Sequence, residues 1–215
     1  MNGRLYLMAL LLAASGRAEI IDRVAVAVGK GVITDSDIRL EIRLSSFMNG
    51  AEPNLRPDAR RQTADRLIER ALIQTEMDIG RYPAPQGQDV ESDLAELKKE
   101  RFPTGDAYRK ALAKYRLAEA DLKKYLLQQR AVLGFIDARF GPAVQVMETE
   151  MHEYYTERFR QQWENKNGKP APPFDEVRTA MEDALRAERA DRLLEEWLKE
   201  GKSRTRIEFR DEAFQ

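Results

Sequence analysis

The clearest β-strand sequence in this chain lies at its two ends. The Val-rich run over residues 20 to 28 is interrupted by Gly29-Lys30-Gly31, resumes at Val32-Ile33 and ends at Thr34-Asp35-Ser36-Asp37. This pattern predicts a tight hairpin that leads into a capped helix. Residues 205 to 209 alternate polar and apolar side chains, as a half-buried strand does. Because an isolated hairpin is at best marginally stable, we expect this C-terminal strand to complete a small antiparallel sheet.

The sequence between these ends is dominated by helical periodicity. Charged residues make up 34% of the chain, a composition that favours long solvated helices over an all-β domain. Gly80, Gly141-Pro142 and Gly201 are expected to stop three of the helices. Apolar spacing and these stop signals predict helices over residues 34 to 48, 57 to 79, 89 to 101, 104 to 115, 118 to 140, 148 to 163 and 174 to 200. The expected fold is therefore mainly α, a multi-helix cradle with a small sheet that joins the two ends.

Two of these helices carry informative apolar patterns. The first helix, capped by Thr34, has a broad apolar stripe, which indicates that more than one neighbour packs on it. The helix over residues 118 to 140 is the most regular, and its steps of four and three predict one inward face: Leu122, Leu126, Gln129, Leu133 and Ile136.

The first eighteen residues are typical of a cleaved secretory signal, which we call the leader. One basic residue, Arg4, precedes the uncharged run 5 to 14, and small residues stand three positions and one position before the expected cut after Ala18. A permanent anchor is the weaker interpretation, because about 20 apolar residues are needed to span a bilayer as a helix. We therefore expect export without a stable membrane anchor.

Composition excludes several kinds of function. The chain has no cysteine, so disulfides, thiolate metal sites and cysteine nucleophiles are excluded. Removing the leader takes away Arg4 and Arg17 and no acid, which leaves 34 basic against 37 acidic residues. A mildly acidic chain with interspersed charges lacks the basic face that nucleic-acid binding needs, so no nucleic-acid partner is expected.

Several segments resemble the SurA-type periplasmic chaperones. These are the opening hairpin and helix, Arg66-Leu67-Ile68-Glu69-Arg70-Ala71-Leu72-Ile73, residues 102 to 127, Glu153-Tyr154-Tyr155, and the final helix with Trp197 followed by strand 205 to 209. The resemblance implies an N-terminal helical chaperone region over residues 19 to 163 and a closing helix and strand over residues 174 to 215.

The chain departs from that family between these two regions. Family members commonly carry parvulin prolyl isomerase domains there, whereas here residues 164 to 173, rich in Asn, Gly, Lys and Pro, form only a linker. A domain needs at least about 50 residues, so there is no room for one. Parvulin sites also use histidines, and His152 is the only one present. We expect a chaperone core without isomerase activity.

No residue pattern in the chain predicts catalysis, a cofactor or a metal. His152 stands among Glu148, Glu150 and Glu153 on a predicted helix, where a solvated residue is the simpler interpretation than a catalytic base. Zinc sites need several converging ligands. Gly29-Lys30-Gly31 lacks the spacing of a nucleotide-binding loop and is assigned to the hairpin turn.

Aromatic and methionine residues are the candidates for contact with clients, because adaptable apolar surface recognises side-chain type rather than sequence. We expect most of them to be core and about a third to face a client groove, without a sequence signal that separates the two. The candidates are Phe47, Met48, Phe102, Tyr108, Tyr115, Phe140, Met147, Met151, Tyr155, Phe159 and Trp163.

The resemblance implies an exported, ATP-independent holdase in the periplasm, whose partners are unfolded or extended polypeptides, above all outer-membrane proteins. Two alternatives stay open: an adaptor with one dedicated periplasmic partner, and a prolyl isomerase without a parvulin domain. The sequence also leaves open whether the protein is a homodimer and whether residues 164 to 173 act as a hinge.

Overall fold

The computed structural model describes residues 22 to 82, 85 and 87 to 215. The leader lies outside these residues, so the structure does not test its assignment. In the described part of the chain, the fold is mainly helical with one small antiparallel sheet, as the sequence predicts. No helix among the described residues is long and apolar enough to cross a membrane.

The sheet joins the two ends of the chain. Strands β1 (Val24–Val28), β2 (Gly31–Thr34) and β3 (Ile207–Phe209) are arranged in the order β2-β1-β3, and both pairs are antiparallel. Ala27 of the central strand lies opposite Val32 on one side and Glu208 on the other. Gly29 turns the hairpin with φ of +57°, a left-handed conformation that glycine adopts without strain. The predicted return of the C-terminal strand is confirmed.

The helices follow the predicted order. Thr34 begins α1 with a capping box, in which its hydroxyl accepts from the Asp37 backbone N–H and the Asp37 carboxylate accepts from the Thr34 N–H at 2.9 Å. The α-helices are α1 (Asp35–Asn49), α2 (Pro57–Ile79), α3 (Gly87–Arg101), α4 (Gly105–Tyr115), α5 (Glu119–Phe140), α6 (Glu148–Tyr154), α7 (Arg160–Asn167) and α8 (Phe174–Arg204). A π-helical turn, Tyr155–Phe159, joins α6 to α7.

Two hydrophobic cores share α1 and α5. The first core lies under the sheet, where Val26, Ile38 and Phe135 are buried with residues of α2 and α8. The second core lies between α1, α3, α4 and the first half of α5, and centres on Phe47 and Leu122. Helix α1 therefore packs on more than one neighbour, which its broad apolar stripe predicts.

Two sequence expectations about helices α5 and α8 are wrong. Leu133 is 65% exposed, and Phe135 is fully buried in its place. The reason is that α5 changes partners along its length, from α3 and α4 to the sheet and α8, so its buried face does not follow one straight stripe. Gly201 does not end α8, which continues to Arg204, because Leu198 is buried and Gly201 lies against Leu72 of α2. Packing there outweighs the roughly 1 kcal/mol that a helical glycine costs.

Side chains of the N-terminal half also hold the C-terminal tail. The buried Arg60 guanidinium bonds the Asp35 carboxylate at 2.5 Å and the Ala213 carbonyl. Arg23 donates to the Glu212 carbonyl at 3.0 Å, and the Arg61 guanidinium lies 3.5 Å from the centre of the Phe209 ring. The ends of the described chain are thus joined by polar contacts, of which those of Arg60 are buried, as well as by strand pairing.

Candidate functional site

An apolar groove opens between α1, α2 and α5, with a volume of about 310 Å³. Clefts of this size bind a few side chains or a small ligand. Its apolar lining comes from Ile33, Leu40, Leu44, Leu67, Ala71, Ile73, Met77, Ala131 and Val132. Its polar lining comes from Asp37, Glu41, Arg70, Gln74, Asp121, Lys124, Tyr125 and Gln128.

Helix α1 forms one wall because it is apolar on two sides. Ile38 and Ile42 pack into the core under the sheet, while Leu40 and Leu44, two residues further along in each case, line the groove. A step of two residues turns about 200° around a helix, so the two pairs point to different neighbours. One pair therefore faces the core and the other faces the groove.

A buried ion pair crosses the floor of the groove. Both terminal nitrogens of Arg70 donate to the two carboxylate oxygens of Glu41, each at 2.7 Å, and the two side chains are 20% and 8% exposed. Burial lowers the pKa of Arg70, but the hydrogen bonds to Glu41 and the negative charge of Glu41 outweigh that effect. The pKa of Arg70 is therefore raised. Such a two-pronged arrangement fixes both side chains in place. The floor is therefore rigid and charged although its surroundings are apolar.

Tyr125 lies beside this pair and also lines the groove. The Arg70 guanidinium is 5.9 Å from the centre of the Tyr125 ring. Burial and the nearby Glu41 carboxylate raise the pKa of Tyr125, so its hydroxyl stays protonated at neutral pH. Neither this hydroxyl nor the Gln128 amide bonds another residue in the described part of the chain, which leaves both groups available to a bound backbone.

Two further hollows adjoin the groove. A second hollow of about 530 Å³ shares Glu41, Arg70 and Tyr125 with the first and adds residues of α8. A third, of about 470 Å³, shares Leu194, Leu198 and Glu69 with the second. Each hollow thus shares lining residues with the next, and the ion pair belongs to the lining of the first two.

The aromatic and methionine residues singled out from the sequence lie elsewhere. None of the eleven lines the groove. Five of them are at most 7% exposed and belong to the interior of the protein: Phe47, Tyr108, Tyr115, Phe140 and Met151. They are buried because large apolar side chains at the junctions of helices are what fills the gaps between them. Tyr108 and Phe102 also line a separate hollow of about 590 Å³ beside α4. Met48 and Phe102 are half-buried at the edge of the second core.

The remaining four candidates lie around α6 and α7. Met147 is 63% exposed. Tyr155, Phe159 and Trp163 are half-buried and form a stripe in which successive ring centres are 5.8 and 5.6 Å apart. The Tyr155 hydroxyl donates to the Pro172 carbonyl at 2.7 Å. This stripe is thus bonded to the segment over residues 168 to 173, the structural counterpart of the predicted linker.

His152 stacks on Phe174 with ring centres 3.8 Å apart, and its Nε2 lies 3.9 Å from a Glu148 oxygen. The side chains of His152 and Glu148 are each about half exposed. Within the ranges that the structure describes, no group of three or more His, Asp or Glu side chains could hold a metal ion. The stacking on Phe174 gives His152 a packing role, which its position among glutamates does not predict.

The sequence does not predict the groove, because the residues of its walls come from three separate helices. Leu40, Met77 and Tyr125 are far apart in the sequence, and each reads as an ordinary core residue of its own helix. The one usable signal was the broad stripe on α1, which predicts an additional neighbour without identifying it.

Comparison with known proteins gives no relative for this chain: no family model matches it, and no curated protein matches it. The resemblance to SurA-type chaperones stays a prediction from the residues quoted above.

Proposed function

We propose that the protein is an exported, ATP-independent holdase that captures unfolded polypeptides in the groove between α1, α2 and α5. The observation that carries the proposal is the open apolar groove itself, with aliphatic walls and polar groups on its floor. The resemblance to SurA-type chaperones supplies the rest of the proposal, which is a periplasmic location and outer-membrane proteins as clients.

Capture would rely on apolar burial. Aliphatic side chains of a client would enter between Leu40, Leu67 and Val132, and burying one leucine or valine fully is worth about 1.5 to 3 kcal/mol. Met77 adapts its shape to different side chains because its thioether chain is unbranched. A groove of this composition accepts many sequences, as a holdase requires.

Backbone recognition would come from the polar groups of the floor. The Tyr125 hydroxyl can donate, and the Gln128 amide can both donate and accept, so the two complement the N–H and C=O groups of an extended segment. Each contact is weak, and a long client gains by offering several segments in turn. Nothing is turned over in this mechanism, because binding lowers the free concentration of aggregation-prone chain by mass action.

A direct test places a large charged side chain in the groove. Ala131 lines the groove, and Ala138 is exposed on the same helix outside it, so Ala131→Arg and Ala138→Arg form a matched pair. A labelled, urea-denatured β-barrel protein is diluted into each variant and binding is followed by fluorescence anisotropy. We expect the Kd to rise about tenfold for Ala131→Arg, a loss of about 1.4 kcal/mol, and to stay unchanged for Ala138→Arg.

Equal affinities for the two variants would place client capture outside the groove. Binding of one folded protein at one-to-one stoichiometry, with no affinity for denatured chains, would instead favour the adaptor with a dedicated partner. Accelerated isomerisation of a proline peptide would favour the isomerase alternative.

A further inference from the structure

The hollow of about 590 Å³ beside α4, which we call the α4 hollow, lies between the end of α3, α4 and the first residue of α5. Among the described residues, it shares no lining residue with the groove. Its wall contains the rings of Phe102 and Tyr108, whose centres are 5.4 Å apart, and Pro103 and Leu112 add further apolar surface. Aromatic rings pack favourably on other rings in edge-to-face or offset arrangements. The α4 hollow therefore offers a suitable surface to an aromatic side chain.

The charged residues that line the α4 hollow are mostly basic: Lys98, Lys99, Arg109 and Glu119. The Lys98 ammonium donates to the Glu119 carboxylate at 2.7 Å, and this bond holds the pKa of Glu119 below its usual range. Arg109 pairs with Asp106 in an exposed contact, and such contacts contribute little. Lys99 is exposed and pairs with no acid in the described part of the chain. The lining thus keeps a positive charge that a ligand can neutralise.

Tyr108 adds a hydrogen-bond donor to the same lining. The residue is only 6% exposed, and its hydroxyl makes no hydrogen bond within the ranges that the structure describes. Burial, together with the negative charge of Glu119, raises the pKa of Tyr108, so the hydroxyl stays protonated at neutral pH. Buried polar groups without a partner are uncommon in folded proteins. An acceptor supplied by a ligand would satisfy this donor.

We propose that the α4 hollow binds a polypeptide segment in which an aromatic residue stands next to an aspartate or glutamate. The aromatic ring packs on Phe102 and Leu112, and the carboxylate accepts from Lys99 and Tyr108, which both donate. A volume of about 590 Å³ is in the range of clefts that bind drug-sized ligands, which is enough for two such side chains.

The α4 hollow adds a second peptide site to the molecule, with a sequence preference of its own. The lining of the groove has more acidic than basic side chains, whereas that of the α4 hollow has more basic ones. Opposite charge at a binding surface favours one class of partner over others. Binding at the α4 hollow therefore selects acidic segments and does not depend on capture in the groove.

The test titrates the full-length chain with the blocked peptide acetyl-Ser-Phe-Asp-Ser-amide, whose only charge is the aspartate. NMR follows the backbone amide of Gly105, which lines the α4 hollow, in about 0.15 M salt. Lys99→Glu and Lys110→Glu form a matched pair, because both lysines are exposed and Lys110 lies outside the lining. We expect the Kd to rise about tenfold for Lys99→Glu and less than about twofold for Lys110→Glu, because salt confines such attraction to short range.

The peptide itself is varied in the same way. Replacing its Phe by Ala or its Asp by Asn should each weaken binding about tenfold, since each change removes one half of the proposed recognition. Thermal melts that match the wild-type chain establish that the protein variants fold.

Equal Kd values for the two lysine variants, equal binding of the Asp and Asn peptides or of the Phe and Ala peptides, or no saturable shift of Gly105 would overturn the proposal. Ala131→Arg in the groove should leave the Kd unchanged, and loss of peptide binding in that variant would place the peptide in the groove instead. Capture of denatured protein is measured in parallel. Capture without peptide binding leaves the holdase intact and rejects the second site, whereas peptide binding without capture does the reverse.

Discussion

At the scale of single residues, the Arg70–Glu41 pair is the most unusual feature of the groove. Charges taken out of water lose hydration energy that their mutual attraction only partly returns, so such a pair contributes little net stability. Removing one partner is different, because it leaves the other charge buried and unpaired. The pair therefore acts as a fixed part of the groove lining, and loss of one partner disturbs that lining.

We expect Arg70→Met to lower the free energy of unfolding by about 2 kcal/mol, less than the 3 to 5 kcal/mol of a fully buried pair because Arg70 is 20% exposed. The double variant Arg70→Met with Glu41→Leu should lose less than the single variant, since no charge remains. Urea denaturation followed by circular dichroism measures both.

The exposed pair Arg186–Glu182 on α8 supplies the control, and Arg186→Met should change stability by less than about 0.5 kcal/mol. A double variant as unstable as Arg70→Met alone would contradict this view of the pair.

Residue features that depend on neighbouring positions could be predicted from the sequence. Thr34 as a helix cap and Gly29 as a turn residue follow from local chemistry, and both are confirmed. The Arg70–Glu41 pair could not be predicted, because its members are 29 positions apart and many other arginines and glutamates could equally have been partners.

At the scale of elements, the stretch from α6 to α8 differs most from expectation. The sequence predicts one helix ending near residue 163 and then a linker, whereas the helical stretch continues through a π-helical turn to Asn167. A π-helical turn accommodates one extra residue, which alters the direction of every side chain after it. Apolar periodicity does not reveal such an insertion in advance.

The bond from Tyr155 to Pro172 should hold the segment over residues 168 to 173 against this helix. We expect Tyr155→Phe to lose about 1 kcal/mol and to raise trypsin cleavage after Lys166 up to about fivefold, because local opening becomes easier. Peptide mass analysis during limited proteolysis measures the rate.

Tyr154→Phe, which changes the neighbouring hydroxyl, should leave cleavage unchanged because the Tyr154 ring contacts Arg158 and its hydroxyl makes no bond to this segment. If trypsin cleaves Tyr155→Phe at the wild-type rate, the segment is held by apolar packing alone.

At the scale of the whole molecule, the sheet and the C-terminal tail place the first and last described segments in one core. This closure could be predicted, because a hairpin without a third strand is marginal and only one other good strand sequence exists. The groove could not be predicted, because it depends on the distances between α1, α2 and α5. Those distances are set by the sizes of core residues such as Phe135 and Phe47.

The central claim is that the processed protein keeps unfolded polypeptides from aggregating by means of this groove. Both cores are built from residues 25 to 214, so a chain without the leader retains them. The most direct measurement is light scattering of a urea-denatured outer-membrane barrel protein, diluted into buffer with residues 19 to 215 or with their Ala131→Arg variant.

The account predicts that the wild-type chain suppresses scattering near one-to-one stoichiometry and that Ala131→Arg needs about tenfold more protein for the same effect. Aggregation that is unchanged by a large excess of the wild-type chain would contradict it.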